Sequence, residues 1–311
     1  MMKPLAKREA PGRAGTLIGI GDDAAVWKPS RGARSIATTD LLVENVHFCL
    51  DYMDWFDVGW KAMAVNLSDI AAMGGRPLVA LVTAGLRREM EKEQLRELFR
   101  GLTQCAGTYG TEVVGGDTVT SPTAAIVGVT VFGETIGGKA AHRVLRRDAA
   151  KAGDAVAVTG VLGSSAAGLR LLRQVRPRAG SALCRAHLRP QPRLEEGQAS
   201  VRAGIACGMD ISDGLLADLG KICAASRVGA IIQAEDVPTA VEVGRYFPED
   251  ALALALTGGE DYELVVCAPE EQLGRLPVSI VGRIVRGKGV AVVDAAGDRI
   301  SFERAGYDAF L

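Results

Sequence analysis

The stretch 59–77, GWKAMAVNLSDIAAMGGRP, constrains the fold more than any other, because it reads as a strongly apolar helix with a carboxylate in its middle. Trp60, Ala64, Leu67 and Ala71 recur at helical spacing, Asp57 is placed to cap the start, and Gly74-Gly75 followed by Pro77 gives a stop. Val58, Ala62, Val65 and Ile70 make the helix apolar around most of its circumference, so it should be buried, with Asn66 and Asp69 along one flank. An isolated carboxylate in a dry core is costly, so Asp69 must be protonated, paired with a cation or bound to a metal. From this helix alone, an Asp–Arg pair or a cap on a neighbouring helix explains it as well as a ligand does.

A chain of 311 residues, 48% of them hydrophobic, suits two cores better than one. Thirty-six basic against thirty-seven acidic residues leave no electrostatic footprint for nucleic acid or an anionic membrane. The six cysteines, Cys49, Cys105, Cys184, Cys207, Cys223 and Cys267, form no CxxC pair and read as reduced packing thiols, so neither disulfide nor zinc is expected. Three histidines argue against a His-rich metal site. No apolar run approaches the roughly 18 residues of a membrane span, and the start lacks an apolar signal region, so the expected location is cytoplasmic.

Taken in order, GIGDDAAV superficially fits a dinucleotide fingerprint at Gly19, Gly21 and Ala24, but Trp27, Pro29 and Gly32 break any helix there. Asp22 and Asp23 would repel phosphate unless a cation lay between them. A short strand over 34–39 delivers TTDLLVENVHF, which holds Thr38, Thr39, Asp40, Glu44 and His47. A strand over 78–86, an amphipathic helix over 89–109, a strand over 111–114 leading to GGDT with Asp117 at its carboxyl end, and a strand over 124–134 describe a compact α/β domain. A Gly- and Arg-rich connection with Lys139, Arg143, Arg146, Arg147 and Lys151 marks the boundary, giving domains 1–137 and 138–311.

The second half opens with a strand over 154–159 and then GVLGSSAAGLRLL, a Gly-rich turn into a helix, followed by helices over 181–188 and 193–204. A strand then enters DISDG, where Asp213 reads as a helix cap but Asp210 is left unexplained. After a strand over 229–234 and two short helices, TGGEDYEL carries Glu260, Asp261 and Glu263 into a buried strand, and strands over 278–285 and 289–293 complete a mixed sheet.

Four glycine-flanked acidic turns, GIGDD, VVGGDT, DISDG and TGGED, therefore join Thr38–Asp40 and Asp69 as places where backbone freedom and carboxylates coincide. Aspartates with threonine and serine hydroxyls are hard ligands that suit Mg²⁺, Mn²⁺ or Ca²⁺ rather than zinc, and magnesium with a bound polyphosphate follows. There is no GxxxxGK[ST] loop, no HRD or DFG kinase set and no DxDx[TV] acid pair, so phosphates would be held through metal ions. Phosphoryl transfer needs in-line positioning and charge neutralisation more than covalent help, so such a cage is sufficient in principle.

The motifs IGDDAAV, TTDLLVENVHF, GWKAMAVNLSDIAAMGGRP, VVGGDT, MDISDGLLADL and TGGEDYEL, in this order, resemble the thiamine-monophosphate kinase family of the aminoimidazole ribonucleotide synthetase superfamily. The resemblance implies a two-domain α/β fold whose N-terminal domain pairs strands in a homodimer and whose C-terminal mixed sheet is flanked by helices. It also implies ATP in a cleft between the domains, several Mg²⁺ ions, and direct phosphorylation of thiamine monophosphate to thiamine diphosphate with no acid or base residue. Carried over by position, Asp23, Thr38, Thr39, Asp40, Asp69, Asp117, Asp210 and Asp213 resemble the metal ligands. Tyr109, Gly116, Asp117, Arg147 and Ser212 fall at ATP-contacting positions, and His47, Glu260 and Tyr307 at substrate-contacting ones. Residues 1–15 lack the family's N-terminal helix with its Glu-Phe pair. Asn45 stands where the family usually has Gly, and since Asn is the next most tolerant residue for a left-handed conformation, that loop should survive.

Within the superfamily the runner-up is an ATP-dependent cyclase like aminoimidazole ribonucleotide synthetase. A selenophosphate synthetase would want a Cys or selenocysteine in the N-terminal loop, and a hydrogenase maturation protein a C-terminal Cys where this chain ends Phe310-Leu311. Six carboxylates set beside glycine turns argue against a silent nucleotide-binding scaffold.

Overall fold

The computed structural model describes residues 15–18, 20, 24–137, 143–174 and 182–307. The chain divides into two compact units, Met1–Ile70 with Gly75–His142, and Ala71–Gly74 with Arg143–Leu311.

In the first unit β1 (Thr16–Ile18) and β2 (Val26–Trp27) form a small antiparallel pair. Four longer strands, β3 (Ser35–Val43), β4 (Gly75–Arg87), β5 (Glu112–Ser121) and β6 (Ile126–Thr135), make a sheet in the order β3-β6-β4-β5. Only β4 and β5 run parallel. Helix α1 (Trp55–Ala72) connects β3 to β4, and α2 (Lys92–Thr108) makes the crossover between the parallel strands.

Helix α1 is buried along its length, Val58, Met63, Leu67 and Ile70 included, as its all-round apolar sequence requires. Its cap is Asp54, whose Oδ1 accepts the Asp57 N–H at 2.8 Å; the expected cap, Asp57, instead lies inside the first turn. The expected stop holds, since α1 ends at Ala72 with Gly74 at φ +66, and Pro77 lies beyond it within β4, beside a register shift between Pro77 and Val79, where a missing N–H is tolerated. The two helices cross at backbone contact, because a Cβ on Gly59 would collide with the Leu98 carbonyl and one on Gly101 with that of Phe56. The Arg100 guanidinium then covers the Phe56 ring at 4.5 Å.

Strands β3 and β5 run further than their apolar stretches suggest. Ladder bonding to β6 carries β3 through Thr38–Asp40 to Val43, and bonding to β4 carries β5 past Asp117 to Ser121. Both acids are therefore mid-strand residues rather than strand-end ones. The turn after β3 keeps Asn45 at φ +65, the left-handed conformation expected of it.

The second unit contains β7 (Ala155–Thr159), α3 (Ser164–Gln174), α4 (Ala182–Leu188), α5 (Leu194–Arg202), β8 (Cys207–Asp210), α6 (Leu215–Ser226) and β9 (Gly229–Gln233). It continues with α7 (Val241–Tyr246), α8 (Ala251–Thr257), β10 (Leu264–Ala268), α9 (Glu270–Leu273), β11 (Val278–Val285), β12 (Gly289–Val293) and β13 (Arg299–Ile300). The seven strands form one mixed sheet in the order β13-β12-β9-β11-β7-β10-β8, in which only β12 and β9 pair in parallel. Every residue of β7, β8 and β10 is buried, and Leu215, Leu219 and Ile222 of α6 share a core cluster with Val156, Val265 and Ile284 of the sheet. Among the described residues no helix is long and apolar enough to cross a membrane. All six cysteines are free thiols, five of them buried.

Candidate active site

In the first unit, α1 and β3 bring together three of the expected ligands. Thr38 and Asp40 alternate onto one face of β3, and the Thr38 hydroxyl donates to Asp69 Oδ2 on α1. Burial, and next the charge of Asp69, push the Asp40 carboxyl up to about 6. Asp69 thus faces a hydroxyl and a second carboxylate. Thr39 alternates to the opposite face, its hydroxyl bonding the Val129 carbonyl at 3.1 Å and the Thr130 hydroxyl at 3.0 Å.

Other expected residues of this unit are spread along the sheet and its helices. Asp117 is exposed in β5, opposite Thr83, and its Oδ1 accepts the Thr118 N–H at 2.8 Å. Gly116 has a packing reason to be glycine, since a Cβ there would run into the Val82 carbonyl. Tyr109 ends α2. His47 accepts the Val43 N–H at Nδ1, 3.2 Å away, which puts the proton of the neutral imidazole on Nε2. Its neighbour Glu44 is structural: buried, it accepts the Ala125 N–H at 2.8 Å and pairs with Arg87. Asp23, the first expected metal ligand, lies outside the described residues, as do Asp22, Gly21 and residues 1–14. Among the described residues, no group of three or more His, Cys, Asp or Glu side chains is gathered to hold a metal.

In the second unit the carboxyl ends of β7 and β8 and the start of β10 lie side by side, the usual location of ligand loops in α/β sheets. Asp210 ends β8, buried, opposite Leu264. Beyond it the DISDG and GGEDYE turns continue to bond each other: Ile211 N–H to Glu263 O at 2.7 Å, Tyr262 N–H to Ile211 O at 2.9 Å and Glu260 N–H to Ser212 O at 2.7 Å. Tyr307, 55% exposed, is tied to the same turn by its N–H on the Asp213 carbonyl at 2.9 Å. Ser212, Asp213, Glu260 and Tyr307 are therefore assembled by backbone bonds around one turn. The close approach of the C-terminal segment needs Gly306, because a Cβ there would meet the Asp213 carbonyl. Arg147 is exposed, and its carbonyl accepts the Ser226 hydroxyl at 2.8 Å; the adjacent Arg146 is occupied by an ion pair with Asp148.

Asp213 does not cap α6. The cap position is Gly214, at φ +115, and the Asp213 side chain instead pairs with Lys221. What holds the turn is Asp218, fully buried on α6, whose Oδ2 accepts the N–H groups of both Ser212 and Asp213 at 2.9 Å while Oδ1 accepts Lys221 Nζ at 2.7 Å. Burial is the largest influence on its carboxyl and leaves it above the ordinary range despite Lys221. Sequence reasoning missed Asp218, although the signal that exposed Asp69, a carboxylate on an apolar helix face, was present in LLADL.

The TGGEDYEL turn is held as firmly. Asp261 accepts the N–H groups of Gly163 at 2.6 Å and Ser165 at 3.0 Å, and burial pushes its carboxyl up to about 7. Glu263 accepts the Thr159 hydroxyl at 2.6 Å and pairs with Arg193. Glu260 and Tyr262 adopt φ +66 and +53, a left-handed backbone unusual for side-chain-bearing residues and typical of functional turns.

Comparison with known proteins agrees with these features. Residues 21–135 match the N-terminal domain, and residues 151–295 the C-terminal domain, described as AIR synthase related protein. The chain belongs to the AIR synthase related family. Within it the branch is that of the thiamine-monophosphate kinases: the relative of that name from Bacillus subtilis is 37% identical over 309 residues, covering 94% of this chain and 93% of its own. Among solved structures, the thiamine-monophosphate kinase of Stenotrophomonas maltophilia superimposes with a TM-score of 0.81 at 36% identity, covering 92% of each chain. AaThiL complexed with AMPPCP and TMP gives 0.81 at 34% identity, covering 91% of this chain and 89% of that one.

Proposed function

We propose that this protein transfers the γ-phosphoryl group of ATP to thiamine monophosphate, giving ADP and thiamine diphosphate. The observation that carries the reading is the Asp40–Asp69 pair: two carboxylates and the Thr38 hydroxyl, drawn from a strand and a helix, near enough that one charge lifts the pKa of the other. Such a pair is costly by itself and is relieved by a hard divalent cation. Support also comes from thiamine-monophosphate kinases at this level of identity and from the AaThiL complex with AMPPCP and TMP.

In this reading Asp23, Thr38, Asp40, Asp69 and Asp117 of the first unit, and Asp210 and Asp213 of the second, hold Mg²⁺; the Thr39 hydroxyl, bonded to Val129 and Thr130 on the other face of β3, does not join them. When bound, magnesium neutralises polyphosphate charge and orients its oxygens. Tyr109, Gly116, Asp117, Arg147 and Ser212 contact the nucleotide. His47 offers its Nε2–H to the acceptor, Tyr307 stacks on the thiazolium ring, and Glu260 offsets the positive charge of that ring. A phosphate oxygen of the acceptor attacks the γ-phosphorus in line, and the bond to the β,γ-bridging oxygen breaks with ADP as leaving group. No side chain takes the proton or forms a covalent intermediate.

The reading includes a homodimer built on the first unit, where the sheet edges β3 and β5 expose Leu41 and Val119. Free thiols suit a cytoplasmic location. Incubation with ATP, Mg²⁺ and thiamine monophosphate, followed by chromatography, tests the reaction: one thiamine diphosphate should form per ADP. Nucleotide binding without any product would favour a silent nucleotide-binding protein instead.

A further inference from the structure

We infer that His187 is a positioning residue for Glu260 and, through it, for the cationic ring of the acceptor substrate; this rests on the reading of Glu260 as a substrate contact. His187 lies on α4, 3% exposed, with Nδ1 3.3 Å from Glu260 Oε2 and 3.1 Å from the Ser165 hydroxyl. A ring nitrogen facing a carboxylate oxygen at this distance carries the proton, because a lone pair there would repel the oxygen. Nδ1–H therefore donates to Glu260, and Ser165 Oγ accepts from the same group.

The arrangement is fixed on every side. Ser165 is fully buried, and its own N–H is bound by Asp261, the residue after Glu260. The Glu260 backbone is tethered by its N–H to Ser212 in a left-handed conformation that aims the side chain. The Glu260 side chain is 30% exposed, so the carboxylate that meets the imidazole is also within reach of a ligand from solvent. A glutamate has three rotatable bonds to immobilise, and a buried donor that holds one oxygen in place leaves the other aimed before the substrate arrives. A purely structural histidine joining α3 to α4 would have no need to present its donor to a half-exposed carboxylate.

The test compares His187→Ala, His187→Asn, which keeps a donor near the Nδ1 position, and His187→Gln, which moves it outward. The expected result for Ala is a KM for thiamine monophosphate raised about tenfold, equivalent to about 1.4 kcal/mol. The KM for MgATP should stay within about twofold, and Asn, but not Gln, should restore most of the loss. Equal shifts in both KM values, or an unchanged KM for thiamine monophosphate in a folded variant, would overturn the inference. Wild-type turnover reports separately on the functional reading. Independently of turnover, ¹⁵N spectra of the three histidines should show His187 as the Nδ1–H tautomer, in contrast to His47, with a shift in Glu260→Gln. An Nε2–H tautomer at His187 would contradict the inference even if catalysis failed.

Discussion

Replacement of Asp218 by alanine probes the turn of the second unit most sharply. The buried carboxylate satisfies the N–H groups of Ser212 and Asp213 with one oxygen and Lys221 with the other. Alanine strands two amides and takes from Lys221 one of its two carboxylates. A bond to a charged acceptor costs about 1.5–3 kcal/mol when the acceptor is removed, so two such losses, less the relief of an ionised group that burial disfavours, come to about 3–5 kcal/mol. For a domain of this size that corresponds to a fall in Tm of about 6–20 °C. Asparagine retains one oxygen for both amides but turns an NH₂ donor toward Lys221 in place of the second acceptor, so Asp218→Asn should cost about 1.5–3 kcal/mol, less than alanine. Differential scanning fluorimetry gives the stabilities, and calorimetric titration with a non-hydrolysable ATP analogue and Mg²⁺ gives the binding. We expect the alanine variant to bind the analogue at least about tenfold more weakly at a temperature where both proteins are folded, which corresponds to about 1.4 kcal/mol. A variant with Tm within about 2 °C of wild type, equivalent to under about 1 kcal/mol, and unchanged analogue affinity would refute the argument that Asp218 holds the turn.

Three further outcomes follow from the first unit. In divalent-free buffer at pH 7, Asp40→Asn removes a half-buried charge that Asp69 opposes, so it should stabilise the fold by about 1–2 kcal/mol, whereas with Mg²⁺ present it should abolish most turnover; loss of stability would contradict the like-charge reading. Gly101→Ala drives a methyl group into the Phe56 carbonyl and should destabilise by about 2–3 kcal/mol in thermal melts, with Ser as costly as Ala. Glu134 is raised by burial but lowered further by the Arg76 hydrogen bond, by the N–H and hydroxyl of Ser30 and by the Arg76 charge, so its net pKa lies below the ordinary value. Its stabilisation is therefore present above the unfolded carboxylate pKa and lost as pH falls through the folded one. Glu134→Gln should be less stable than wild type at pH 7, with the gap closing in acid; a gap independent of pH would exclude the ionic contribution.

Periodicity revealed the long elements well. The apolar circumference of α1 and the stripe along α2 are local properties of the chain, and so was the anomaly of Asp69. The ends were harder to read. Strand β3 runs on through Asp40 to Val43 because β6 pairs with it, although the polar Thr38–Asp40 stretch interrupts the apolar pattern. Gly74-Gly75 ended α1 as read, but β4 starts at Gly75 rather than Leu78 and takes in Pro77 beside an irregular register. Asp213 carried the local signature of a cap, yet Gly214 takes that position and Lys221 claims the carboxylate. Asp218 went unread although its signal was local, whereas the roles of Asp261, named but given no partner, and of His187, not named, depend on contacts 98 and 22 residues away that spacing along the chain does not reveal.

Magnesium dependence of thiamine diphosphate formation, compared between wild type and Asp69→Asn, tests the acid pair most directly. We expect wild-type product to appear with Mg²⁺ and to vanish with a chelator. The variant, still folded, should need at least about tenfold more Mg²⁺ for half-maximal rate, a shift of about 1.4 kcal/mol. Identical magnesium curves for the two proteins would contradict the claim that this carboxylate holds the cation.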